Sequence, residues 1–395
     1  MAERFIYLDH AATTAVSPVV LEKMLPYFSE NYGNPSSIYS IARTTKRAID
    51  DARSAVADVL GAQPNEIYFT GGGTESDNWA IKGAAQAAAA TNRGRHIITS
   101  SIEHHAVLDS CGALGKQGYR VTYLPVGSDG LVEPDTLSEA ICEDTALVSI
   151  MAANNEIGTL QPIKELAAIT RARGVLFHTD AVQAAGAVPL DVGDLGVDLL
   201  TIAAHKFYGP KGTGALYIKA GTKVERFIHG GAQERARRAG TENVAGVVGL
   251  AVALRIAAAD LEANGAKMIA LRDRTIREVM QKIPHTILNG HPVRRLPNNA
   301  NFAFRFIEGE SMLLMLDMKG VGASSGSACT SGSLDPSHVL LAIGLPHETA
   351  HGSLRVTFGI ENTDADVDYL IETLPPIIQR LRDMSPLYED FIKRK

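Results

Sequence analysis

The chain has 395 residues and a formal net charge of −6, with 45% hydrophobic and 21% charged residues. This balance is typical of a folded globular protein of two or three domains, and it excludes a disordered, collagen-like or coiled-coil chain. Nucleic-acid-binding proteins usually have an excess of basic residues, and this chain has a slight excess of acidic ones, so we expect no nucleic-acid partner.

The cysteines and the apolar runs indicate where the protein works. Cys111, Cys142 and Cys329 are too few, and an odd number, for a disulfide framework, which predicts a reducing, cytoplasmic location. Cys111 and Cys142 fall in helical patterns and are expected to be buried. The opening MAERFIYLDH shows no signal-peptide pattern. The apolar run 244–254 is shorter than the ~20 residues of a membrane helix, so we expect a buried helix and no membrane partner.

Short apolar runs alternate with amphipathic stretches over the first two thirds of the chain. The helical patterns cover 44–60, 77–90, 106–117 and 162–173. The predicted strands are 66–69, 96–99, 121–124, 146–151, 175–178, 199–202 and 214–218. Buried strands alternating with helices predict an α/β fold with a mostly parallel seven-stranded sheet flanked by helices.

The pattern changes after residue 260. A long charged helical pattern at 261–283 is followed by a strand-like run at 301–307 and a loop rich in glycine and serine. We therefore predict a large domain at 16–260 and a smaller α+β domain formed by 1–15 with 261–395.

The segment GGGTESD at 71–77 follows a predicted strand and opens a predicted helix. The N–H groups of a glycine turn and of a helix N-terminus attract anions, so Gly73 and Thr74 are candidates for phosphate binding. A capped helix is the equally weighted alternative, because Thr74 and Asp77 match a capping box. The spacings of a Walker loop and of a dinucleotide fingerprint are absent.

Other candidate residues follow predicted strands, where ligands bind in sheets of this kind. Asp180, three residues before Gln183, can pair with a cationic ring nitrogen. Lys206, beside His205 and before a Gly-Pro turn, can form a Schiff base. His104 can stack on a planar cofactor or relay a proton. Taken singly, each also fits a structural role, such as a helix N-cap for Asp180.

Three further positions complete the candidate set. Asn155 follows a strand, and its amide can bind a carboxylate or ring oxygen or simply form a turn. Cys329 lies in SSGSACTSGS, a composition typical of an exposed loop, where a thiol is accessible as a nucleophile. Arg355 can hold a substrate carboxylate in a bidentate fork, or form a structural salt bridge.

The order of these features resembles the cysteine desulfurases of the NifS/IscS group, which belong to the class-V aminotransferase branch of the fold-type-I pyridoxal-phosphate enzymes. The resemblance extends from YLDHAATT to the final SPLY. It is carried by HTDAVQ, HKFYGPKG, RRAGTEN, GNPSS and SSGSACTSGS, of which the cysteine loop, HTDAVQ and the His-Lys pair are specific. It implies the fold-type-I architecture, pyridoxal 5'-phosphate (PLP) as cofactor and a homodimer. The long cysteine loop resembles the first class of these enzymes.

The resemblance also implies the roles of the matching residues. Lys206 would bind the cofactor as a Schiff base, His104 would stack on its ring and assist proton transfer, and Cys329 would attack the substrate sulfur and hold it as a persulfide. Substrate would be held by Asn155 and Arg355. The cofactor-binding residues would be Gly73, Thr74, His104, Asn155, Asp180, Gln183, His205, Lys206 and, from a second subunit, Thr241.

One position departs from the family pattern. The family usually has a hydroxyl side chain two residues before the histidine that matches His205, and this chain has Ala203. One hydrogen bond to the phosphate would be lost, which is worth about 0.5–1.5 kcal/mol. We expect weaker cofactor retention with the chemistry preserved.

The implied activity converts L-cysteine to L-alanine and passes sulfur to an iron–sulfur scaffold or another sulfur-acceptor protein, and RRAGTEN favours the nitrogen-fixation type. A selenocysteine lyase, a kynureninase-like enzyme and a small aminotransferase are alternatives in the same class. The last two do not need the thiol of Cys329. A different class is a non-catalytic sulfur or iron–sulfur scaffold in which Cys329 is a transient cluster ligand, but a scaffold normally supplies several thiolates. No firm metal site is predicted.

Overall fold

The computed structural model describes residues 5–325 and 336–393. The strands in this part of the chain are β1 Ile6–Tyr7, β2 Ile67–Thr70, β3 His96–Ser100, β4 Arg120–Leu124, β5 Thr145–Ser149, β6 Leu176–Asp180, β7 Leu199–Ala203, β8 Gly214–Ile218, β9 Thr286–Leu288, β10 Asn299–Phe304, β11 Val321–Gly322 and β12 Ser353–Thr357.

The helices alternate with these strands over much of the chain. They are α1 Pro18–Met24, α2 Pro26–Ser29, α3 Ser40–Leu60, α4 Gly73–Ala90, α5 His105–Gly115, α6 Pro134–Ala140, α7 Ile163–Ala172, α8 Val192–Leu195, α9 Gln233–Ala236, α10 Val244–Ala259, α11 Leu261–Lys282, α12 Gly309–Asp317, α13 His338–Ala342, α14 His347–His351, α15 Asp364–Asp383 and α16 Pro386–Lys393.

A seven-stranded sheet in the order β2-β8-β7-β6-β5-β3-β4 confirms the predicted α/β fold. Strands β3 to β7 are parallel, whereas β8 is antiparallel to both of its neighbours. Side chains on one face, such as Ile97, share a buried cluster with residues of α4 and α5, and those on the other face, such as Ile98, share the cluster that includes residues of α3 and α10. Because both faces are covered, strands such as β7 and β8 are buried along their whole length, whereas β4 at the edge of the sheet is partly exposed.

A second core contains the end of the chain together with its beginning. Strands β9, β10 and β12 form an antiparallel sheet, and α11, α12 and α15 contribute to the same buried cluster. Ile6 and Leu8 belong to this cluster, and β1 pairs with β11 in parallel. The N-terminal segment therefore packs with the residues after 260, as the predicted small domain requires. The domain boundaries at 15 and 260 stay a prediction.

Helix α4 begins four residues earlier than its pattern predicted. Its N-cap is Gly72, no side chain caps it, and the predicted capping box between Thr74 and Asp77 does not form, because both residues lie inside the helix. Gly72 has φ 141° and ψ −178°, a conformation available only to glycine. The glycine turn therefore lets the chain leave β2 and enter α4 directly.

The burial prediction for the cysteines is half right. Cys111 is buried in α5, and burial raises the pKa of its thiol to about 12. Cys142 is exposed, because α6 ends at Ala140 and the thiol lies two residues beyond it. Arg120 Nη2 donates to its Sγ at 2.8 Å. A hydrogen bond with Thr145, followed by smaller contributions that include Arg120, lowers the pKa of Cys142.

Within the described residues no single helix is long and apolar enough to cross a membrane. Helices α10 and α11 meet the length and hydropathy criteria only as a pair, and they are bent by 72° where they join. The run predicted as a buried helix at 244–254 is the first part of α10, whose core-facing residues include Val247 and Leu250.

Candidate active site

A cavity of about 340 Å³ opens where the parallel strands end. It brings together nine of the predicted site residues. They are Gly73, Thr74, His104, Asn155, Asp180, Gln183, His205, Lys206 and Arg355. The N-terminal residues Ala11 and Ala12 close part of the wall, and Ala203 lies at the end of β7.

Lys206 ends a short 3-10 turn that follows β7 directly. Its Nζ donates to the carbonyl oxygens of Ala11 at 2.6 Å and Ala12 at 2.8 Å. The N-terminal segment is tied to the same turn, since the backbone N–H of Thr14 donates to the carbonyl of His205 at 2.9 Å. The amine therefore lies in the cavity wall between β7 and the N-terminal segment.

Asp180 is the last residue of β6 and is buried. Its Oδ1 accepts a hydrogen bond from the backbone N–H of Val182 at 2.9 Å. Burial raises the pKa of this carboxyl, while the imidazole of His104, the hydrogen bond from Val182 and the charge of Lys206 oppose the shift. A buried carboxyl of this kind is stabilised by a cationic partner placed against it.

Asp77 is a second buried carboxyl in the wall, which sequence reasoning used only as a helix cap. It lies in the second turn of α4, and Oδ1 has no hydrogen-bond partner among the described residues. Burial first, and then the charge of Asp180, raises its pKa well above the usual value. His178 Nε2 lies 3.7 Å from Asp77 Oδ1, and burial holds the pKa of that histidine at about 3.

Glu103 is a third buried carboxyl, directly before His104 in the chain. Its Oε1 accepts hydrogen bonds from Ser100 Oγ and from the backbone N–H of Met151, while Oε2 has no partner in the described part of the chain. Burial raises its pKa to about 8. The sheet side of the cavity therefore has two buried carboxyls in its wall, Asp77 and Asp180, and a third, Glu103, directly before the lining residue His104 in the chain.

The two histidines of the cavity are held by different contacts. His104 is the N-cap of α5, and its Nδ1 accepts from the backbone N–H of Ala106 at 3.1 Å. In a neutral imidazole this leaves the proton on Nε2. His205 Nδ1 lies 3.1 Å from Thr13 Oγ1, and burial together with Lys206 and Lys211 lowers its pKa to about 4. Burial likewise lowers the pKa of His104, so both rings are neutral at pH 7.

The N-terminus of α4 faces the cavity through Gly73 and Thr74. The first N–H groups of a helix have no intrahelical acceptor and attract anions. Gly73 also serves packing, because a Cβ built there would lie 2.8 Å from Val182 Cγ2. The glycine thus keeps the start of the helix close to the segment that follows β6.

Arg355 lies within β12, whereas the sequence pattern placed it before a strand. It is buried, and its Nη1 donates to the carbonyl of Asn155 at 3.0 Å while Nη2 meets Asp9 Oδ1 at 2.8 Å. Asn154 makes the turn beside it, since its Oδ1 accepts from the backbone N–H groups of Glu156 and Ile157. The two adjacent asparagines therefore have different roles, because Asn154 stabilises the turn and Asn155 lines the cavity.

Two predicted residues are not among those that line the cavity. Thr241 is exposed, in a loop before α10, and Cys329 lies outside the described residues. The described chain on either side of 326–335 does contact the site. The backbone of Ser324 pairs with that of Arg355, and Ser337 Oγ donates to Glu156 Oε2. Among the residues that the structure describes, no group of three or more His, Cys, Asp or Glu could hold a metal ion.

Asp9, Asp77 and Glu103 are the residues of the site that sequence reasoning missed as functional candidates. Asp9 and Glu103 each stand directly beside a histidine in the sequence, in LDHA and IEHH, but a lone acid carries no spacing signal. Their importance becomes visible only from their burial and contacts.

Comparisons with known proteins agree with this geometry. The family model for aminotransferase class-V matches residues 6–370. The cysteine desulfurase IscS of Methanosarcina thermophila is 59% identical over 382 residues, covering 97% of this chain and 94% of that protein. A solved structure titled NifS-like protein is 38% identical, has a TM-score of 0.90, and covers 95% of this chain and 100% of its own.

A second solved structure, titled SspA in complex with cysteine, is 37% identical with a TM-score of 0.79, covering 89% of this chain and 98% of its own. The family match spans most of the chain, and the similarity to the desulfurases extends over nearly all of it. This chain belongs to the class-V aminotransferase family, in its cysteine desulfurase branch.

Proposed function

We propose that this protein is a PLP-dependent cysteine desulfurase that converts L-cysteine to L-alanine and holds the sulfur as a persulfide on Cys329, for iron–sulfur cluster assembly. The observation that supports this most directly is the placement of Lys206 and Asp180 in one cavity, with Arg355 on its other side. An amine, a buried acid and a carboxylate-binding cation are the groups that PLP chemistry on an amino acid requires.

The residues present fit PLP. Burial raises the pKa of the Asp180 carboxyl, and a protonated ring nitrogen placed against it would favour the ionised form. The N-terminus of α4, with Thr74 and His205, would bind the phosphate. Gln183 Nε2 donates to Ala11 O at 2.9 Å, and its second N–H is available for a ring oxygen. His104 would lie against the ring.

When bound, PLP supplies a carbonyl carbon that takes up amines and a ring that accepts electrons from the substrate. The chain's own residues bind and orient the amino acid around it. Arg355 and Asn155 would hold the α-carboxylate, Lys206 would hold the cofactor through its amine, and the neutral His104 would hold or move a proton through Nε2. The low pKa values of His104 and His205 keep both rings uncharged beside Lys206.

The overall transfer balances without an external oxidant. The thiolate of Cys329 attacks the sulfur of L-cysteine, the Cβ–S bond breaks, and Cβ keeps the electron pair and takes a proton. The products are L-alanine and the persulfide of Cys329. Ser324, whose backbone pairs with Arg355, stands five residues before Cys329, and such a stretch spans at most about 17 Å. The position in the chain therefore allows the thiol to reach the cavity.

The oligomeric state, the acceptor and the location belong to the same proposal. Helices α1 and α2 and the residue between them expose an apolar surface that a second copy of the chain would cover, formed by Val19, Leu21, Leu25 and Phe28. In a homodimer the exposed Thr241 would complete the phosphate site of the other subunit. An iron–sulfur scaffold, of the nitrogen-fixation type or another, would take the sulfur in the cytoplasm.

The test is the yield of alanine and persulfide from L-cysteine. We expect the wild-type protein to form one alanine and one persulfide per chain in the absence of an acceptor. Cys329→Ser is expected to keep the visible absorbance of the bound cofactor and to form no alanine. Cys142→Ser is the matched control, because Cys142 is exposed and its lowered pKa makes it reactive towards alkylating reagents.

Persulfide mapping by alkylation is therefore best done in the Cys142→Ser background. Alanine formation by Cys329→Ser at the wild-type rate would overturn the role of Cys329. A colourless protein that binds no PLP would overturn the enzyme proposal as a whole and favour a sulfur scaffold.

A further inference from the structure

Arg355 is fixed from two sides before any ligand enters the cavity. Its Nη2 meets Asp9 Oδ1 at 2.8 Å, and its Nη1 donates to the carbonyl of Asn155 at 3.0 Å. The guanidinium side chain is only 3% exposed, and that of Asp9 is 18% exposed. Nε has no hydrogen-bond partner among the described residues. Of the five N–H groups of an arginine, these contacts leave three for another acceptor.

Asp9 is itself held firmly, although it belongs to the N-terminal segment. Its backbone forms a bridge with Thr357, two residues from Arg355 on β12. Tyr7 Oη donates to the carbonyls of Asp9 and Thr13, both at 3.0 Å. Leu8, between Tyr7 and Asp9, donates its backbone N–H to Gly322 O at 2.7 Å. The carboxylate is therefore presented to Arg355 by a segment anchored on both sides of it.

A buried guanidinium without a counter-charge is strongly destabilised, and its long side chain has many rotamers. Asp9 removes both problems, since it supplies the charge and fixes one edge of the planar group. A fixed guanidinium binds a carboxylate without losing further rotamer freedom, and this preorganisation increases affinity.

We propose that Asp9 is a positioning residue that orients Arg355 for the α-carboxylate of the substrate. The inference rests on the proposed function, because it takes Arg355 as the carboxylate-binding group. It makes the N-terminal segment part of substrate recognition, in addition to its contact with Lys206. Within the described part of the chain, the hydrogen bonds of Asp9 join it to Tyr7, Ala12 and Arg355, so we expect its effect to be specific for ligands that have a carboxylate.

The experiment compares two ligands that differ in the carboxylate alone. L-cysteine has it, and 2-aminoethanethiol has the same amine and thiol without it. Both are titrated into the PLP-loaded protein and followed by the change in visible absorbance, in the Cys329→Ser background so that L-cysteine is not consumed. The variants are Asp9→Ala and Asp9→Asn, the second of which keeps the shape and one acceptor oxygen.

We expect Asp9→Ala to raise the dissociation constant of L-cysteine tenfold or more and to change that of 2-aminoethanethiol less than twofold. Asp9→Asn is expected to raise the constant for L-cysteine about threefold, a partial rescue by the retained acceptor. With Cys329 restored, Asp9→Ala should raise KM and leave kcat within threefold. Asp273→Asn is the matched control, since Asp273 Oδ1 lies 2.8 Å from Arg272 Nη2 and away from the cavity. It should change neither affinity.

An equal loss of affinity for both ligands would overturn the proposal, because it would show a general structural effect. Unchanged or tighter binding of L-cysteine to both Asp9 variants would also overturn it. The proposed function fails separately, if the protein with native Asp9 shows no absorbance change with L-cysteine.

Discussion

The two sides of the cavity handle buried charge in opposite ways. On the sheet side, Asp77 and Asp180 line the cavity and Glu103 directly precedes the lining residue His104, and all three are buried carboxyls with raised pKa values. On the other side, Arg355 is equally buried but is paired with Asp9. The carboxyls of the sheet side are therefore stabilised when a cationic ligand enters. On the arginine side, Asp9 already balances the charge of Arg355, so the guanidinium needs only the correct orientation. The cofactor belongs with the first side and the substrate carboxylate with the second.

Removing the amine of the sheet side is expected to have the largest effect. Lys206 is the one lysine among the described residues that line the cavity, so Lys206→Ala should abolish both the visible absorbance of the Schiff base and alanine formation. Lys211→Ala, at an exposed position in the turn after Lys206, should change neither. An absorption spectrum of each purified variant makes the measurement. A wild-type spectrum from Lys206→Ala would remove the basis for assigning the cofactor to this side.

Much of the sheet side could be predicted from the sequence, while the pairing across the cavity could not. Asp180 and Lys206 follow apolar runs, and parallel strands bring their carboxyl ends together, so sequence order is enough to collect them. Asp9 and Arg355 are 346 positions apart, and no local pattern connects them. The sequence predicted Asp77 as part of a capping box, but α4 begins before it and the residue lies inside the helix. Cys142 was predicted to be buried in a helix, but α6 ends two residues before it.

The buried acids of the sheet side should also make stability depend on pH. The pKa of Glu103 is about 8 in the folded protein, against 4.5 for an ordinary glutamate. Between these values the folded state keeps a proton that the unfolded state has released, so its contribution to stability is full below about pH 4.5 and is lost as the pH rises through 8. The glutamine of Glu103→Gln is neutral at every pH, so the stability of this variant does not fall in this way as the pH rises.

We therefore expect the unfolding free energy of Glu103→Gln, relative to wild type, to rise by an amount on the order of 4 kcal/mol between pH 5 and pH 8.5. Urea unfolding of the apoprotein at both pH values measures the difference. Glu139→Gln, at an exposed position, is the control and should follow the wild type. If the unfolding free energy of Glu103→Gln changed with pH as that of the wild type does, the carboxyl of Glu103 would be ionised in the folded state. The contrast between unpaired carboxyls on the sheet side and the paired Arg355 would then weaken.

The smallest expected effect concerns Ala203, at the end of β7 in the cavity wall. A hydroxyl here would add one hydrogen bond to the bound phosphate, worth about 0.5–1.5 kcal/mol. Ala203→Thr should therefore bind PLP about two- to tenfold more tightly than Ala203→Val, which has the same shape without the hydroxyl. Equilibrium dialysis of the apoproteins against PLP gives both dissociation constants. Because threonine and valine add the same volume beside Gly73, the comparison between them isolates the effect of the hydroxyl. Equal affinities would mean that the phosphate lies out of reach of β7. Tighter binding by Ala203→Thr would place the anion between this strand end and the N-terminus of α4, so that the sheet side provides both the counter-charge for the ring and the donors for the phosphate.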